Sequence, residues 1–151
     1  MQSVEQRMEQ LGIVLPPAPK AVANYLGLKI FGRQAYVSGR KSDLTGVVGH
    51  DVTELQAKEA AADTVLLLLA ILNQELGTLN HIETIINLRG FIRSSEDFDR
   101  QPQVLDGASE VLISIWGHQG RHARTATGTH QLPFGATIQL DMIVGLVANQ
   151  D

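Results

Sequence analysis

The chain has no cysteine. That excludes disulfides, thiolate nucleophiles and cysteine-ligated zinc, and it suits a reducing compartment, so the expected location is the cytoplasm. Basic blocks are missing as well: 12 lysines and arginines face 16 acidic residues, for a formal charge of −4. Such a balance leaves no electrostatic footprint for a phosphate backbone, and nucleic acid is not an expected partner. Long apolar runs are absent too. The longest, Val65 to Leu72, spans eight residues, against the roughly 20 that a membrane-crossing helix needs. Met1 to Arg7 is of mixed charge with no apolar centre, so neither a cleaved leader nor a membrane partner is expected. What is present, 151 residues with 44% apolar content, suits a single domain over 1–151 with one core.

Turn and cap residues divide that domain. Ser3 to Leu11 reads as a short helix closed by Gly12. Leu15-Pro16-Pro17-Ala18-Pro19 must run extended, because each proline fixes φ and lacks a donor, so about 1–20 forms an arm. Ala21 to Ile30 and Ala35 to Ser38 are apolar stretches split by Gly32-Arg33-Gln34, which predicts a β-hairpin whose second strand is closed by Gly39. Lys41 to Val52, with Gly46 and Gly49 and little periodicity, reads as a surface loop. Thr53 with Gln56 three residues on has capping-box spacing, and Glu54 to Leu76 contains no Gly or Pro before Gly77. A long helix follows, and Leu67, Leu68 and Ile71 widen its apolar face enough to call for cover on more than one side.

Ile82 to Ile92 is rich in β-branched residues and predicts a central strand interrupted at Gly90. Pro102 suits a first helical turn, and Val104 to Trp116 keeps helical spacing as far as Gly117. Two strands end the chain, about Ala123 to His130 and Ala136 to Val147, joined around Pro133-Phe134-Gly135. The order β-β-α-β-α-β-β predicts an α+β fold, with two long helices on one face of a mostly antiparallel sheet. Val37, Ile85, Leu88, Ile138, Leu140 and Ile143 do not all fit one strand face, which argues that a partner covers the other.

The chemistry concentrates in Gly120 to Pro133, where Arg124 heads an otherwise neutral strand. A guanidinium presents a planar fork that grips a carboxylate bidentately; the alternative for Arg124 is an ion pair on a solvated edge. His118 and His122 are four apart, but Gly117 and Gly120 break any helix there and no third ligand stands near, so neither metal nor cofactor is expected. Ser38 and the histidines lack the setting of a nucleophile elbow.

The element order, Tyr25, Ser38-Gly39, the Asp97-Phe98 pair ahead of the second helix, and Arg124 nine residues before Pro133 together resemble the RidA (YjgF) family over about 13–147. Leu11-Gly12-Ile13, Leu15-Pro16-Pro17 and Gly120-Arg121-His122-Ala123-Arg124 are most similar to its longer branch of about 150 residues. The resemblance implies a chorismate-mutase-like fold and a homotrimer with the sheets in a central barrel. It also implies ligand pockets between subunits, and hydrolysis of imines or enamines to 2-oxo acids and ammonia.

Carried over by residue, Arg124 is the carboxylate clamp, Tyr25 a pocket tyrosine, and Ser38-Gly39 the strand end whose amide meets the ligand. Tyr25 is otherwise an amphipathic core residue, and Gly39 the permissive residue of a turn. Fifteen residues after Arg124, where deaminating members hold water with a glutamate, this chain has Gln139. An amide orients water but does not take its proton at neutral pH. Asp141, on the same strand face as Gln139, is the nearest alternative carboxylate, or else an interface group. Asp106 stands where the family often has asparagine; it either suits a helix start or faces the pocket and favours a ligand with a donor or positive charge. Arg40 replaces a common glutamine and places a second cation near the mouth. The expected partner is thus a small carboxylate-bearing metabolite, either hydrolysed or merely bound. Ribonuclease or translation-inhibitor names also occur in the family, and the acidic balance disfavours both roles.

Overall fold

The computed structural model describes residues 2–20 and 25–148, so Ala21 to Asn24 of the expected first strand lie outside the described residues. Helix α1 spans Val4–Leu11, between a reciprocal Ser3/Gln6 capping box and a left-handed Gly12 that closes it. A hairpin of β1 (Leu28–Phe31) and β2 (Gln34–Lys41) leads to α2 (Glu54–Leu76), which starts on the Thr53/Gln56 capping box and stops at left-handed Gly77. Then come β3 (Ile82–Arg93), α3 (Gln101–Trp116), β4 (Ala123–Thr129) and β5 (Ile138–Leu146).

The strands form one sheet in the order β1-β2-β5-β3-β4. Every neighbouring pair is antiparallel except β3 with β4. The parallel pair follows from the chain path, because α3 carries the chain back across the sheet before β4 begins. Helix α2 lies over β2 and β5, and α3 lies over β3 and β4. The core fills the space between this helical layer and one sheet face, with Leu68, Leu69, Leu72, Leu88, Leu105, Leu112, Leu140 and Met142 all buried. Cover for α2 comes from more than one side, since the arm's Val14, Leu15 and Pro16 line a hollow of about 420 Å³ with Leu66 and Leu67.

Three strand expectations need correction. Strand β2 does not stop at Gly39 but runs to Lys41. The pairing with β5 slips between Val37 and Arg40, so Ser38 and Gly39 sit in a bulge and Gly39 is not a left-handed turn residue. Strand β3 is continuous through Gly90, which leaves room for Leu105: a Cβ there would approach its Cδ1 to 2.6 Å. A second bulge, between Ile85 and Asn87, shifts the alternation of β3. Ile85 and Leu88, three apart, therefore both point under the helices, as do Val37, Ile138 and Leu140, while Ile143 is only half-buried. The opposite face does not carry the apolar set read from strict alternation. It presents Lys29, Tyr36, Asn87, Arg89, Gln139 and Asp141 around Ile143 and Phe91.

Candidate functional site

The sheet register divides the candidate residues into two groups. Val37, Met142, Leu88 and Arg124 lie side by side on β2, β5, β3 and β4. The first three are buried under the helices, so this row points toward the helical layer and ends in a guanidinium at the edge strand. There Arg124 Nη1 donates to Asp106 Oδ1 at 2.7 Å and to Ser109 Oγ at 3.2 Å, both on α3. Asp106 and Ser109 are three apart on one helix face, which lets a single strand residue reach both.

Ser109 in turn lies 2.9 Å from His122 Nε2, and His122 Nδ1 lies 2.6 Å from the Gly120 carbonyl. Two glycines set how closely α3 packs on its neighbours. A Cβ on Gly107 would stand 2.0 Å from the Lys58 carbonyl oxygen of α2, and one on Gly120 would stand 2.4 Å from that of Leu112. Gly107 thus lets α3 lie close against α2, and Gly120 lets the turn after α3 fold back on that helix. The Arg124 side chain is 26% exposed and that of Asp106 44%. An ion pair this open contributes at most about 1 kcal/mol to stability. Its effect is on what the site presents rather than on whether the chain folds.

The second group gathers where β2 meets β5. The Ser38 hydroxyl donates to the Leu26 carbonyl at 2.6 Å, and its amide donates to Gly27 at 3.0 Å, which ties the segment after Tyr25 to the bulge. Gly39 faces Gln139: a Cβ on the glycine would lie 3.4 Å from the Nε2 of the amide. Tyr25 is 40% exposed, and the Arg40 guanidinium stacks on its ring at 5.7 Å. Arg40 pairs in register with buried Leu140 and so lies toward the helices. Its Nη1 donates to the Lys20 carbonyl at 3.2 Å, while Nε and Nη2 are buried with no hydrogen-bond partner among the described residues. That is a costly state for a cation.

Gln139 and Asp141 share the open face, as strand alternation predicts. Asp141 is already committed, accepting from Arg89 Nε at 2.9 Å. The bond and the carboxylate's charge hold the Arg89 pKa above its ordinary value. A hollow of about 610 Å³ on this face is lined by Tyr36, Ser38, Gly39, Arg89 and Asp141. Arg124 belongs to the other face. With β3 between β4 and β5, Arg124 stands two strands from Gln139 and three from Gly39, about 10 and 14 Å in strand spacings. One chain brings Arg124 to Asp106 and Gly39 to Gln139, but it does not bring the two pairs together.

Ser109 is not singled out by the sequence, and His122 enters there only as a metal-ligand candidate and as part of the Gly120 to Arg124 segment, not as a neighbour of Arg124. The only signals for them are the spacings Asp106-x-x-Ser109 and His122-x-Arg124, which place each pair on one face of its element. No group of three or more metal-ligating side chains exists among the described residues. Nor is any described helix long and apolar enough to cross a membrane.

A mostly antiparallel five-strand sheet, covered on one face by two helices and ending in an arginine at its parallel edge, defines a YjgF/chorismate-mutase-like protein. The chain belongs to that family, the RidA (YjgF) proteins: residues 5–146 match the family model described as "YjgF/chorismate mutase-like, putative endoribonuclease". It is 36% identical to Protein TCP17 of Trypanosoma cruzi over 150 residues, covering 95% of this chain and 94% of the relative. The solved structure of Atu1372, a protein of unknown function from Agrobacterium tumefaciens, is similar at 38% identity and a TM-score of 0.87, covering 95% of this chain and 92% of that one. A structure from Shewanella oneidensis MR-1 superposes with a TM-score of 0.91 at 29% identity, covering 96% and 100%.

Proposed function

We propose that this protein binds a small carboxylate-bearing metabolite in a cleft between copies of the chain. Arg124 of one copy supplies the clamp, and Tyr25, Ser38, Gly39 and Gln139 of the next supply the wall. The observation that carries this reading is the splitting of the site: the Arg124–Asp106 pair and the Gly39–Gln139 pair lie on opposite sheet faces of one chain, and a small ligand cannot span them. A homotrimer that closes the sheets around a barrel brings one chain's β4 edge to its neighbour's β2 side.

At such a site the carboxylate docks on Arg124 through charge-assisted hydrogen bonds, each contributing about 1.5 to 3 kcal/mol. The Asp106 carboxylate beside it accepts from a donor or cationic nitrogen on the same ligand. Removing both bonds in Arg124→Ala is expected to weaken binding of a 2-oxo acid such as pyruvate at least about 100-fold by calorimetry. An unchanged affinity sinks the assignment.

Hydrolysis of an imine at this site is the second reading, and Gln139 and Asp141 are the observations that weigh against it. The amide beside Gly39 orients a water without accepting its proton, and the Asp141 carboxylate is held by Arg89. Ammonia release from imines generated in situ is therefore expected at background in the natural chain and above background in Gln139→Glu. Release above background in the natural chain, abolished in Arg124→Ala, establishes the enzyme instead.

A further inference from the structure

Arg124 does not stand alone in its half-site. Its hydrogen bonds among the described residues both leave from Nη1, to Asp106 and to Ser109. An Nη nitrogen carries two hydrogens, so these contacts use Nη1 completely. For a neutral His122 ring, the direction of the contacts beyond Ser109 follows from elementary donor and acceptor rules. A carbonyl oxygen only accepts, so the 2.6 Å contact with Gly120 requires His122 to carry its proton on Nδ1. In the neutral ring Nε2 is then an acceptor, and the Ser109 hydroxyl must donate to it. With its hydrogen committed, the Ser109 oxygen is left to accept from Arg124. Ser109 is only 7% exposed, so its hydroxyl is largely shielded from water.

We propose that Ser109 and His122 are positioning residues for Arg124: the directed chain Gly120 carbonyl, His122, Ser109, Nη1 locks the guanidinium plane and leaves its Nε/Nη2 edge as the ligand-facing fork. A carboxylate then docks side-on, along Nε and Nη2, because the edge formed by the two Nη nitrogens is blocked at Nη1. The same lock keeps Asp106 beside the ligand instead of letting it swing across the fork. Only the ligand arm of this inference rests on the clamp reading of Arg124; the lock itself is a property of the free protein.

The test uses the full chain labelled with 15N and 13C. In the wild type, the His122 ring nitrogens should show the neutral Nδ1–H form, and the two Nη signals of Arg124 should exchange slowly by rotation about Nε–Cζ. Ser109→Ala and His122→Leu should speed that exchange at least tenfold. Ser109→Thr and His122→Gln, which keep a hydroxyl and an acceptor, should restore it. A proton on His122 Nε2, or exchange that no variant alters, overturns the proposal. If Ser109→Ala does not fold, the pair His122→Leu and His122→Gln decides the same point with Ser109 intact.

Pyruvate affinity gives the second readout. Ser109→Ala should weaken it about tenfold in the wild-type background and less than twofold in an Arg124→Lys background, the signature of a residue that acts through another. Equal losses in both backgrounds mean a merely structural serine and overturn the proposal. If the wild type binds no pyruvate while Nη exchange responds as described, the lock stands and the clamp reading fails.

Discussion

The two half-sites on one chain are built in opposite ways. Around Arg124 the polar groups are tightly tied, since Asp106, Ser109, His122 and the Gly120 carbonyl are joined at 2.6 to 3.2 Å. Around Gly39 the same chain leaves room: a glycine stands over the amide of Gln139, and two buried nitrogens of Arg40 have no hydrogen-bond partner among the described residues. On the proposed reading, one half holds a charge in a fixed direction and the other offers a wall for a ligand to complete. A guanidinium with free rotamers loses entropy each time it binds, so the proposed lock would strengthen the proposed clamp. Specificity on the open side can then vary without disturbing the lock.

Substituting one glycine in each half is the sharpest way to break this comparison. In Gly107→Ala the new methyl meets a backbone oxygen of α2 at 2.0 Å, and neither helix can give way locally. The gain in helix propensity, about 1 kcal/mol, does not offset overpacking of about 3 kcal/mol. The expected net result is a fall in melting temperature of several degrees, with loss of the Asp106 and Ser109 contacts to Arg124. A melting temperature equal to wild type would show that α2 and α3 are less closely locked than their spacing implies.

Gly39→Ala should do the reverse. Its methyl reaches Gln139 only at ordinary contact distance, 3.4 Å, and the backbone there is not left-handed. Stability should hold within about 0.5 kcal/mol, while pyruvate affinity falls several-fold because the opening over the amide is filled. Loss of stability without loss of affinity would place Gly39 in the core rather than in the site.

The smallest expected effect sharpens the locked side. Helix α1 braces α3 through Arg7 Nε, which donates to the Ser114 carbonyl at 3.0 Å. It is held to the turn after α2 by the Thr78 hydroxyl on Glu5 and by Asn80 Oδ1 on the Val4 amide. Partial burial pushes the Glu5 pKa up, but the Thr78 hydroxyl, backbone amides and Asn80 together hold it below the usual glutamate range. A depressed carboxylate pKa stabilises the folded form above the unfolded value, and that contribution is lost as pH falls through the folded one. Protection of the α1 amides against hydrogen exchange should therefore fall as pH drops through the depressed Glu5 range and be unaffected near neutrality. In Thr78→Val the onset should move to higher pH, and an unchanged onset would remove Glu5 from the brace.

Much of the fold was legible because its signals are local. The Thr53/Gln56 box and Gly77 bound α2, Pro102 and Gly117 bracket α3, and Gly32-Arg33 turns the hairpin. The strand faces were legible only where alternation is unbroken, as at Gln139 and Asp141. At Ser38-Gly39 and near Ile86 a single extra residue reverses parity, and nothing in the composition of those stretches announces it. That is why Ile85 and Leu88 were read onto different faces although both lie beneath the helices. In the candidate site, Arg124, Tyr25, Ser38-Gly39 and Gln139 were legible through their positions relative to recognisable elements. Ser109 and His122 were not, since a serine within a helix and a histidine before a strand are ordinary residues until something stands opposite them.

By itself the sequence determined the caps, the element order and the placing of an arginine at the head of an edge strand, because each depends on neighbours within a few residues. Tertiary structure alone decided that Asp106 and Ser109 face Arg124, that Asp141 is taken by Arg89, and that Gly39 and Gln139 form a separate wall. Those outcomes depend on how closely α3 lies against α2 and on where the sheet bulges, distances set by packing across the whole chain and carried by no local pattern.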